Sequence, residues 1–394
     1  MSDNSGSMFH RFLNIRNNSS FFLFGPRGTG KSTFISGILD PQKTCNLDFL
    51  DYELETKVLQ DPGFFRKTLE SLSEKIEWVF IDEVQKAPFV LNEVHRQIES
   101  PKKLKFAMTG SSARKLKRGQ ANLLAGRALT YTLHPLTTLE LKEHFRFDEA
   151  LLFGTLPKIF SLNLAEEKND FLRSYAQTYL KEEIQSEGLI RNLPAFRKFL
   201  PLAASENGNI LSWSNFAQDV GIDVKTIRAY YEILEDTLIG FILPAYHRSL
   251  RKRQKTHPKF YFFDTGVRRA LANELTIPLL SHTTEYGRAF EHFWITEIYR
   301  LNLYQKKDFT LSYLATHDME IDLVIERPGR GPVFLEIKSS NSIKEKDLKN
   351  LQTLTEEVKG SEGICLCSES YRRKVGSVLV CPWREILSVL NLST

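Results

Sequence analysis

The chain has 394 residues, of which 42% are hydrophobic and 26% are charged, and its formal net charge is +5. This length is too great for one hydrophobic core, so it predicts two or three domains. The composition is that of an ordinary globular protein and excludes the disordered and fibrous classes. The small positive charge permits binding to nucleic acid without requiring it.

Three further features bear on localisation. No apolar run approaches the roughly 20 residues that span a bilayer, so we expect no membrane partner. Residues 1–7 lack the charged and then apolar pattern of a signal peptide. The four cysteines, Cys45, Cys365, Cys367 and Cys381, are too few and too unevenly spaced for a disulfide framework. These features favour a cytoplasmic protein with reduced thiols.

A strand, a glycine-rich loop and a helix are predicted in succession near the N-terminus. Residues 21–24 form an apolar run of strand type, and residues 34–39 carry a helical pattern. The loop between them matches the Walker A motif in its expected context. Its glycines let backbone N–H groups point at a phosphate beside a helix N-terminus. We expect Lys31 to reach the β- and γ-phosphates of ATP and Ser32 to bind Mg²⁺. The residues assigned to the nucleotide are Gly25, Pro26, Arg27, Gly28, Thr29, Gly30, Lys31, Ser32 and Thr33.

A second apolar run, residues 78–81, ends in Asp82 and Glu83, which is the form of a Walker B segment. We expect Asp82 to hold the Mg²⁺ through water and Glu83 to orient and deprotonate the attacking water. Glu83 therefore predicts a hydrolase. Ser111 follows a third apolar run and is expected to contact the γ-phosphate as a sensor. With a further strand at residues 44–48, the pattern predicts a parallel sheet with the phosphate site at its carboxyl edge.

Three arginines, Arg114, Arg118 and Arg127, follow the sensor strand. An arginine that reaches the γ-phosphate in a neighbouring subunit raises the rate of hydrolysis by about 10³ or more. Arg127 is the candidate for this catalytic role because the chain returns to an apolar run directly after it. The alternative is a solvated basic face, which is the commoner use of such a run.

The middle of the chain is predicted to be helical at first. From residue 171 the apolar residues recur with helical spacing, which predicts a connecting helix. Farther on, Gly221 predicts a turn between two helices, as in a helix-turn-helix, and an antiparallel pair of strands would form a wing. The predicted helices and strands of this section lie at residues 195–204, 211–220, 223–234, 238–243 and 259–263.

Positive charge is concentrated between the two strands, and Arg228 lies on or near the third of these helices. Such a cluster neutralises the phosphates of a nucleic acid, with an affinity that falls as salt rises. The alternative is an interdomain packing module with a solubilising loop. The residues assigned to nucleic-acid contacts are Arg228, Arg248, Arg251, Lys252, Arg253 and Lys255.

Two strand-type runs near the C-terminus flank a turn rich in proline and glycine, which predicts a hairpin. Strand residues two apart share a face, so Glu336 and Lys338 lie together, and Asp322 can join them across the hairpin. Two carboxylates and a lysine can bind a divalent ion and activate water against a phosphodiester. The alternative is an ordinary charged strand face. Asp322 argues against that alternative, because it lies inside an apolar run where an unpaired carboxylate is costly.

Across about residues 21–381 the chain resembles a widespread prokaryotic family of AAA-type ATPases, which join an N-terminal ATPase to a C-terminal domain of unknown function. The resemblance implies a C-terminal fold like the PD-(D/E)XK restriction-endonuclease core. It assigns metal binding to Glu291, Asp322 and Glu336, and catalysis to Glu336 and Lys338, although Asp322 lacks the preceding proline. The matching segments are GPRGTGKST, IDEVQKAP, TGSSARKL, LAGR, YLKEEI, FDTGVRRAL, GRAFEHF, EIDLVI and LEIKSS.

The predicted fold class is α/β, with an AAA-type P-loop sheet, then a winged-helix middle, then a restriction-endonuclease-like α/β end. The predicted function is a Mg²⁺-dependent ATPase that couples ATP to binding or cleavage of nucleic acid, with DNA favoured over RNA. The alternative is a nucleotide-dependent switch or scaffold with an inactive nuclease-like domain. A homo-oligomer is compatible with either. The predicted divisions are a tail (1–20), the ATPase domain (21–155), a helical linker (156–193), a winged-helix-like domain (194–270) and a nuclease-like domain (271–394).

Overall fold

The computed structural model describes residues 9–16, 18–100, 104–111, 124, 126–179, 190, 192–247 and 257–393. The chain divides into two units, each with its own core. The first comprises residues 1–136, 156–158 and 233–239, and the second comprises residues 137–155, 159–232 and 240–394. Within the described ranges, no helix combines the length and the apolar character that a membrane crossing requires.

The first unit is built on a five-stranded parallel sheet with the order β2-β3-β4-β1-β5. Its strands are β1 (Ser20–Phe24), β2 (Thr44–Asp48), β3 (Trp78–Asp82), β4 (Lys105–Gly110) and β5 (Ala128–Thr132). All five residues of β1 and the first four of β3 are buried, as expected of a parallel sheet covered on both faces. The α/β fold predicted for this region is confirmed.

Between β1 and β4, the described helices make the crossovers that parallel strands require. They are α1 (Lys31–Ile38), α2 (Tyr52–Gln60), α3 (Pro62–Glu70) and α4 (Val90–Ile98). Because β4 lies between β1 and β3 in the sheet, the carboxyl ends of these three strands are adjacent. The loops that follow them therefore meet at one edge of the sheet.

Residues 9–16, which precede β1, contribute buried side chains to the first unit. Phe9, Leu13 and Ile15 are buried, and so is the charged residue Arg11. The sequence assigned residues 1–20 to a tail, and the described part of that range is more ordered than this assignment implies. Three apolar side chains in so short a segment give no periodic signal from which this packing could be predicted.

The second unit begins with helices. They are α5 (Thr138–Leu141), α6 (Phe147–Phe153), α7 (Ala165–Ser174), α8 (Leu193–Ser205), α9 (Trp213–Val220) and α10 (Val224–Asp236). α7 continues as a π-helical turn (Tyr175–Tyr179). The second unit contains α10 only up to residue 232. Gly221 ends α9 with a φ of 80°, a left-handed conformation that glycine adopts without strain, and it makes the predicted turn. An antiparallel pair follows, β6 (Gly240–Leu243) and β7 (Lys259–Phe262).

A six-stranded mixed sheet forms the rest of the second unit, in the order β12-β13-β11-β10-β9-β8. The strands of this sheet are β8 (Thr310–Ala315), β9 (Glu320–Glu326), β10 (Val333–Ile337), β11 (Glu362–Cys367), β12 (Arg373–Val375) and β13 (Val378–Pro382). The helices of this part of the chain are α11 (Thr265–Leu271), α12 (Thr284–Gln305), α13 (Lys349–Glu357) and α14 (Ile386–Val389). β9 and β10 are antiparallel, as the hairpin prediction required, and β10 and β11 are parallel.

The two faces of this sheet have separate cores. Leu323 and Leu335 pack in a cluster with residues of α12 such as Trp294, while Val324 and Phe334 pack in a cluster with residues of α13. This alternation places Leu335 on the opposite face from Glu336, as the period of two predicts.

Candidate active site

The glycine-rich loop lies at the carboxyl end of β1, and α1 begins directly after it at Lys31. Gly28 and Gly30 have φ angles of 74° and 87°, which favour glycine. A Cβ on Gly25 would lie 2.3 Å from the carbonyl oxygen of Leu133, so no side chain fits there. Glycine is therefore favoured at Gly28 and Gly30 by the positive φ angle and at Gly25 by the lack of space for a side chain. The loop also brings backbone N–H groups to the N-terminus of a helix.

Lys31 is buried, and its side chain folds back over the loop. Its Nζ donates to the carbonyl oxygen of Gly25 at 2.8 Å and to that of Pro26 at 3.3 Å. The hydroxyl of Thr29 donates to the same Pro26 carbonyl at 2.7 Å. The ammonium therefore lies in the loop itself, where a triphosphate would meet its charge.

Arg11 adds a contact to this loop that the sequence did not predict. Its guanidinium donates to the carbonyl oxygen of Thr29 at 2.7 Å and to that of His134 at 2.5 Å. Arg11 is only 7% exposed, so these bonds form away from bulk water. It joins the segment before β1, the phosphate loop and the chain after β5 at one point.

Asp82, the last residue of β3, accepts hydrogen bonds from two hydroxyl groups. Ser32 Oγ donates to Asp82 Oδ2 at 2.6 Å, and Thr109 Oγ1 donates to Asp82 Oδ1. Thr109 also accepts a bond from the Glu83 N–H at 3.2 Å. A hydroxyl and a carboxylate side by side are oxygen donors of the kind that Mg²⁺ takes together with water and phosphate, so this pair fits the predicted ion.

Glu83 is turned toward the same edge of the sheet by a left-handed backbone, with a φ of 55°. The buried Gln85 side chain links it to the sensor strand, because Gln85 Nε2 donates to Glu83 Oε2 and, at 3.3 Å, to Ser111 Oγ. A Cβ on Gly110 would lie 2.6 Å from Gln85 Oε1, so a side chain there would displace the Gln85 amide. The structure thus brings the predicted base Glu83 and the predicted sensor Ser111 to one amide.

Arg127 does not converge with these residues in its own chain. It precedes β5, whose first residue, Ala128, pairs with Ser20 at the start of β1. Arg127 therefore lies at the amino edge of the sheet, whereas the phosphate loop follows the carboxyl end of β1. There its Nε donates to Glu99 Oε1 at 2.8 Å. Arg114 and Arg118 lie outside the described residues.

The predicted site in the second unit is an acidic cluster around Asp322. Asp322 Oδ2 accepts a bond from the Ile337 N–H at 2.6 Å. Burial, and after it the charge of Glu291, raises the pKa of the Asp322 carboxyl to about 8, against the lowering effect of Lys259. Glu336 is 9% exposed and pairs with Lys338, whose Nζ lies 2.6 Å from Glu336 Oε1. The pair of Glu336 and Lys338 is therefore confirmed as a contact.

The same cluster does not form a ready metal site. Within the part of the chain that the structure describes, no three His, Cys, Asp or Glu side chains are grouped so as to hold a metal ion. Glu291, Asp322 and Glu336 each have a protein partner instead: the hydroxyl of Tyr261 donates to Glu291 Oε1 at 2.6 Å, and the other two are bonded as described above. The predicted three-carboxylate ligand set is thus not assembled in this conformation.

Of the residues assigned to nucleic acid, the structure describes Arg228. It is exposed on α10, and its guanidinium lies 5.4 Å from the ring centroid of Trp213. Arg248, Arg251, Lys252, Arg253 and Lys255 lie outside the described residues.

Three site residues were missed by the sequence assignments. Thr109 and Gln85 stand inside segments that the motifs single out, and their polarity at the ends of buried runs was the available signal. Arg11 had no signal, because its partners Thr29 and His134 are 18 and 123 residues away.

Residues 17–142 match the model of a family described as AAA domain. This match, the parallel sheet and the loop geometry agree with the AAA-type P-loop domain predicted for this region. Residues 144–276 and 286–386 match two families that are each described as a domain of unknown function (DUF8612 and DUF4143).

Two mycobacterial proteins and one archaeal structure match parts of this chain. Uncharacterized proteins of Mycobacterium bovis and Mycobacterium tuberculosis are each 26% identical over 322 residues, which cover 81% of this chain and 70% of theirs. A solved structure, the Signal Transduction ATPase with Numerous Domains (STAND) protein with a tetratricopeptide repeat sensor from Pyrococcus horikoshii, is 13% identical, with a TM-score of 0.25. That match covers 78% of this chain and 52% of the archaeal chain, so the chain spans about half its length.

Proposed function

We propose that this chain binds ATP with Mg²⁺ and hydrolyses it at the carboxyl edge of the first sheet. The observation that carries the proposal is the contact of Ser32 with Asp82, which joins the phosphate loop to the last residue of β3, directly before Glu83. The loop amides and Lys31 bind the phosphates by charge and by hydrogen bonds. When bound, Mg²⁺ neutralises phosphate charge.

Glu83 is the proposed general base. Its carboxylate accepts the proton of the attacking water, and the amide of Gln85 holds that carboxylate beside Ser111. Thr109 fixes the start of the same turn through the Glu83 N–H. One small hydrogen-bond network thus links the proposed base to the proposed sensor hydroxyl.

Turnover measurements test these two roles separately. Glu83→Gln should retain ATP and lower kcat by about 100-fold or more, since it removes only the proton acceptor. Lys31→Ala should lose ATP binding. Full turnover by either variant would refute the proposed site.

Arg127 is proposed as a catalytic finger only toward a neighbouring copy of the chain, because its own phosphate loop lies at the other edge of the sheet. The ATPase rate per chain should then rise with protein concentration, and Arg127→Ala should remove that rise. A rate per chain that is independent of concentration would exclude the role.

The second half of the proposal is that ATP turnover controls a nucleic-acid-binding C-terminal half, with DNA favoured. The order α8, α9, turn, α10, β6 and β7 supports a winged-helix-like domain at residues 194–270. The order α12, β8, β9, β10, α13 and β11 supports a nuclease-like domain at residues 271–394. Exposed Arg228 on α10 supports contact with phosphates.

Nucleic-acid binding separates this proposal from the alternative of a switch or scaffold. Binding to a DNA duplex should weaken steeply as salt rises, and Arg228→Ala should reduce the salt slope by about one. An RNA duplex measured in parallel decides between the two nucleic acids. Absence of binding to either, in the presence of ATP, would favour the scaffold.

Cleavage is tested with plasmid DNA, ATP and Mg²⁺. If the C-terminal domain cuts, Lys338→Ala should remove nicking while ATP hydrolysis continues. If wild-type protein leaves the plasmid intact under every nucleotide condition, the inactive nuclease-like alternative holds.

A further inference from the structure

A buried lysine from the preceding section of the chain enters the acidic cluster of the second unit. Lys259, the first residue of β7, is 3% exposed. Its Nζ lies 2.6 Å from Glu320 Oε1 and 3.9 Å from Glu291 Oε1, and 5.2 Å from the ring centroid of Tyr313. The charge of the same ammonium acts on Asp322. Lys259 thus forms ion pairs with two carboxylates, and its charge favours the ionised form of a third.

The position of Lys259 is fixed by backbone as well as by charge. Residues two apart on a strand share a face, so Lys259 and Tyr261 point together at the cluster, where Tyr261 donates to Glu291. One edge of β7 pairs with β6. The chain before α9 bonds to the start of β7, because Lys259 forms a β-bridge with Ile210 and the Leu211 N–H donates to the Pro258 carbonyl at 2.8 Å. The backbone of Lys259 is therefore fixed by strand pairing, which positions its ammonium.

Burial of a lysine is costly unless opposite charges surround it, and Lys259 is buried beside the partly buried Glu291 and the exposed Glu320. Carboxylates close to one another repel unless a cation lies among them. A divalent ion would meet the second need, as the sequence predicted. In this fold the ammonium of Lys259 and that of Lys338 meet it instead, and the described residues form no group that could hold a metal ion.

We infer that the ammonium of Lys259, which is paired with Glu291 and Glu320, occupies the cation position of the acidic cluster around Asp322 and keeps divalent ions out of it. The side chain acts as a tethered counter-ion. The inference rests on the proposal that this cluster is a nuclease-like cation site. It adds that the site is closed by β7 in the conformation described, so that metal enters only if Lys259 is displaced.

Mn²⁺ binding in the absence of nucleotide tests this inference. Electron paramagnetic resonance measures the concentration of free Mn²⁺, which falls when the protein binds the ion. Wild-type protein should show no Mn²⁺ binding that depends on Asp322. Lys259→Met removes the charge and keeps much of the volume, and it should bind one Mn²⁺ at least about tenfold more tightly than wild type, because the carboxylates lose their counter-ion. The double variant with Asp322→Asn should lose the gained site.

Two controls make the outcome decisive. Lys259→Arg keeps the charge and should bind no more Mn²⁺ than wild type, and Lys349→Met removes an exposed lysine of the same unit and should behave as wild type does. Circular dichroism establishes that each variant is folded. Should wild-type protein itself bind Mn²⁺ in a manner abolished by Asp322→Asn, the inference is overturned while the nuclease-like site stands, and this result needs no variant at Lys259. If folded Lys259→Met and wild type both bind no Mn²⁺, the counter-ion role of Lys259 and the nuclease-like cation site are both overturned.

Discussion

The hydroxyl of Ser32 donates a 2.6 Å hydrogen bond to Asp82 Oδ2, although 50 residues separate them in the chain. The bond brings the start of α1 to the end of β3, two strands away in the sheet. Both groups are oxygen ligands of the kind that Mg²⁺ takes, so together they would hold a hydrated ion beside the phosphate loop.

Substitution of Asp82 should therefore separate nucleotide affinity from turnover. Asp82→Asn keeps the shape and the acceptor toward Ser32 but loses the charge that favours the ion, so we expect kcat to fall by about 100-fold. Steady-state ATPase assays across a Mg²⁺ titration check this. Asp48→Asn, one strand farther out, is the matched control and should retain wild-type turnover. Equal losses in the two variants would contradict a specific role for Asp82.

Arg11 should act on nucleotide affinity through the phosphate loop. Arg11→Ala removes the bonds to Thr29 and His134, so the loop loses an anchor and KM for ATP should rise about tenfold with a smaller change in kcat. Arg16→Ala, a change at an exposed arginine of the same segment, is the control. An unchanged KM in folded Arg11→Ala would show that the anchor has no part in binding.

Gln85 should act on the chemical step. Gln85→Leu removes the amide that holds Glu83 beside Ser111, and we expect kcat to fall about tenfold while ATP affinity stays near that of wild type. Gln97→Leu is a matched change at a buried glutamine that bonds Glu93 on α4, and its kcat should not move. A kcat for Gln85→Leu at or above that of wild type would mean that Gln85 restrains Glu83 instead of placing it.

His292 should make the stability of the second unit sensitive to acid. Burial lowers the pKa of His292 to about 3, against the raising effect of its 2.6 Å bond to the Phe262 carbonyl. Below about pH 6.5 the unfolded chain takes up a proton that the folded chain refuses, so this residue costs up to about 1.4 kcal/mol of stability per pH unit as the pH falls toward 3. Urea unfolding of wild type and His292→Gln, at pH 7 and pH 4.5, measures the difference.

The expected result is a smaller loss of stability between those two pH values in His292→Gln than in wild type. His317→Gln, at a histidine with a fully exposed side chain, should keep the wild-type loss. If all three proteins lose the same stability, His292 is not the source of acid sensitivity.

Much of the first unit could be predicted from the sequence because its signals are local. Buried strands appear as unbroken apolar runs, and the phosphate loop needs glycine wherever φ is positive or another backbone is close, as at Gly28 and Gly25. The hairpin of β9 and β10, and the contact of Glu336 with Lys338, follow from a period of two and a short turn.

What could not be predicted depends on contacts between distant parts of the chain. Arg11 reaches His134, and Lys259 enters a cluster whose carboxylates are 32 and 61 residues away, at Glu291 and Glu320. The carboxylates of the hairpin, considered alone, therefore predict a metal ion. In the folded chain the ammonium of Lys259 lies beside them instead. Helix bounds also differed by about two residues, as at Trp213, where the predicted helix had begun at residue 211.

Calorimetric titration of ATP with Mg²⁺ into wild-type protein and into Lys31→Ala tests the central claim most directly. Lys31 supplies the charge buried in the phosphate loop. The wild-type protein should bind one ATP per chain with a saturable heat, and folded Lys31→Ala should show none. Absence of heat in wild type, or equal binding by the two proteins, would contradict the account.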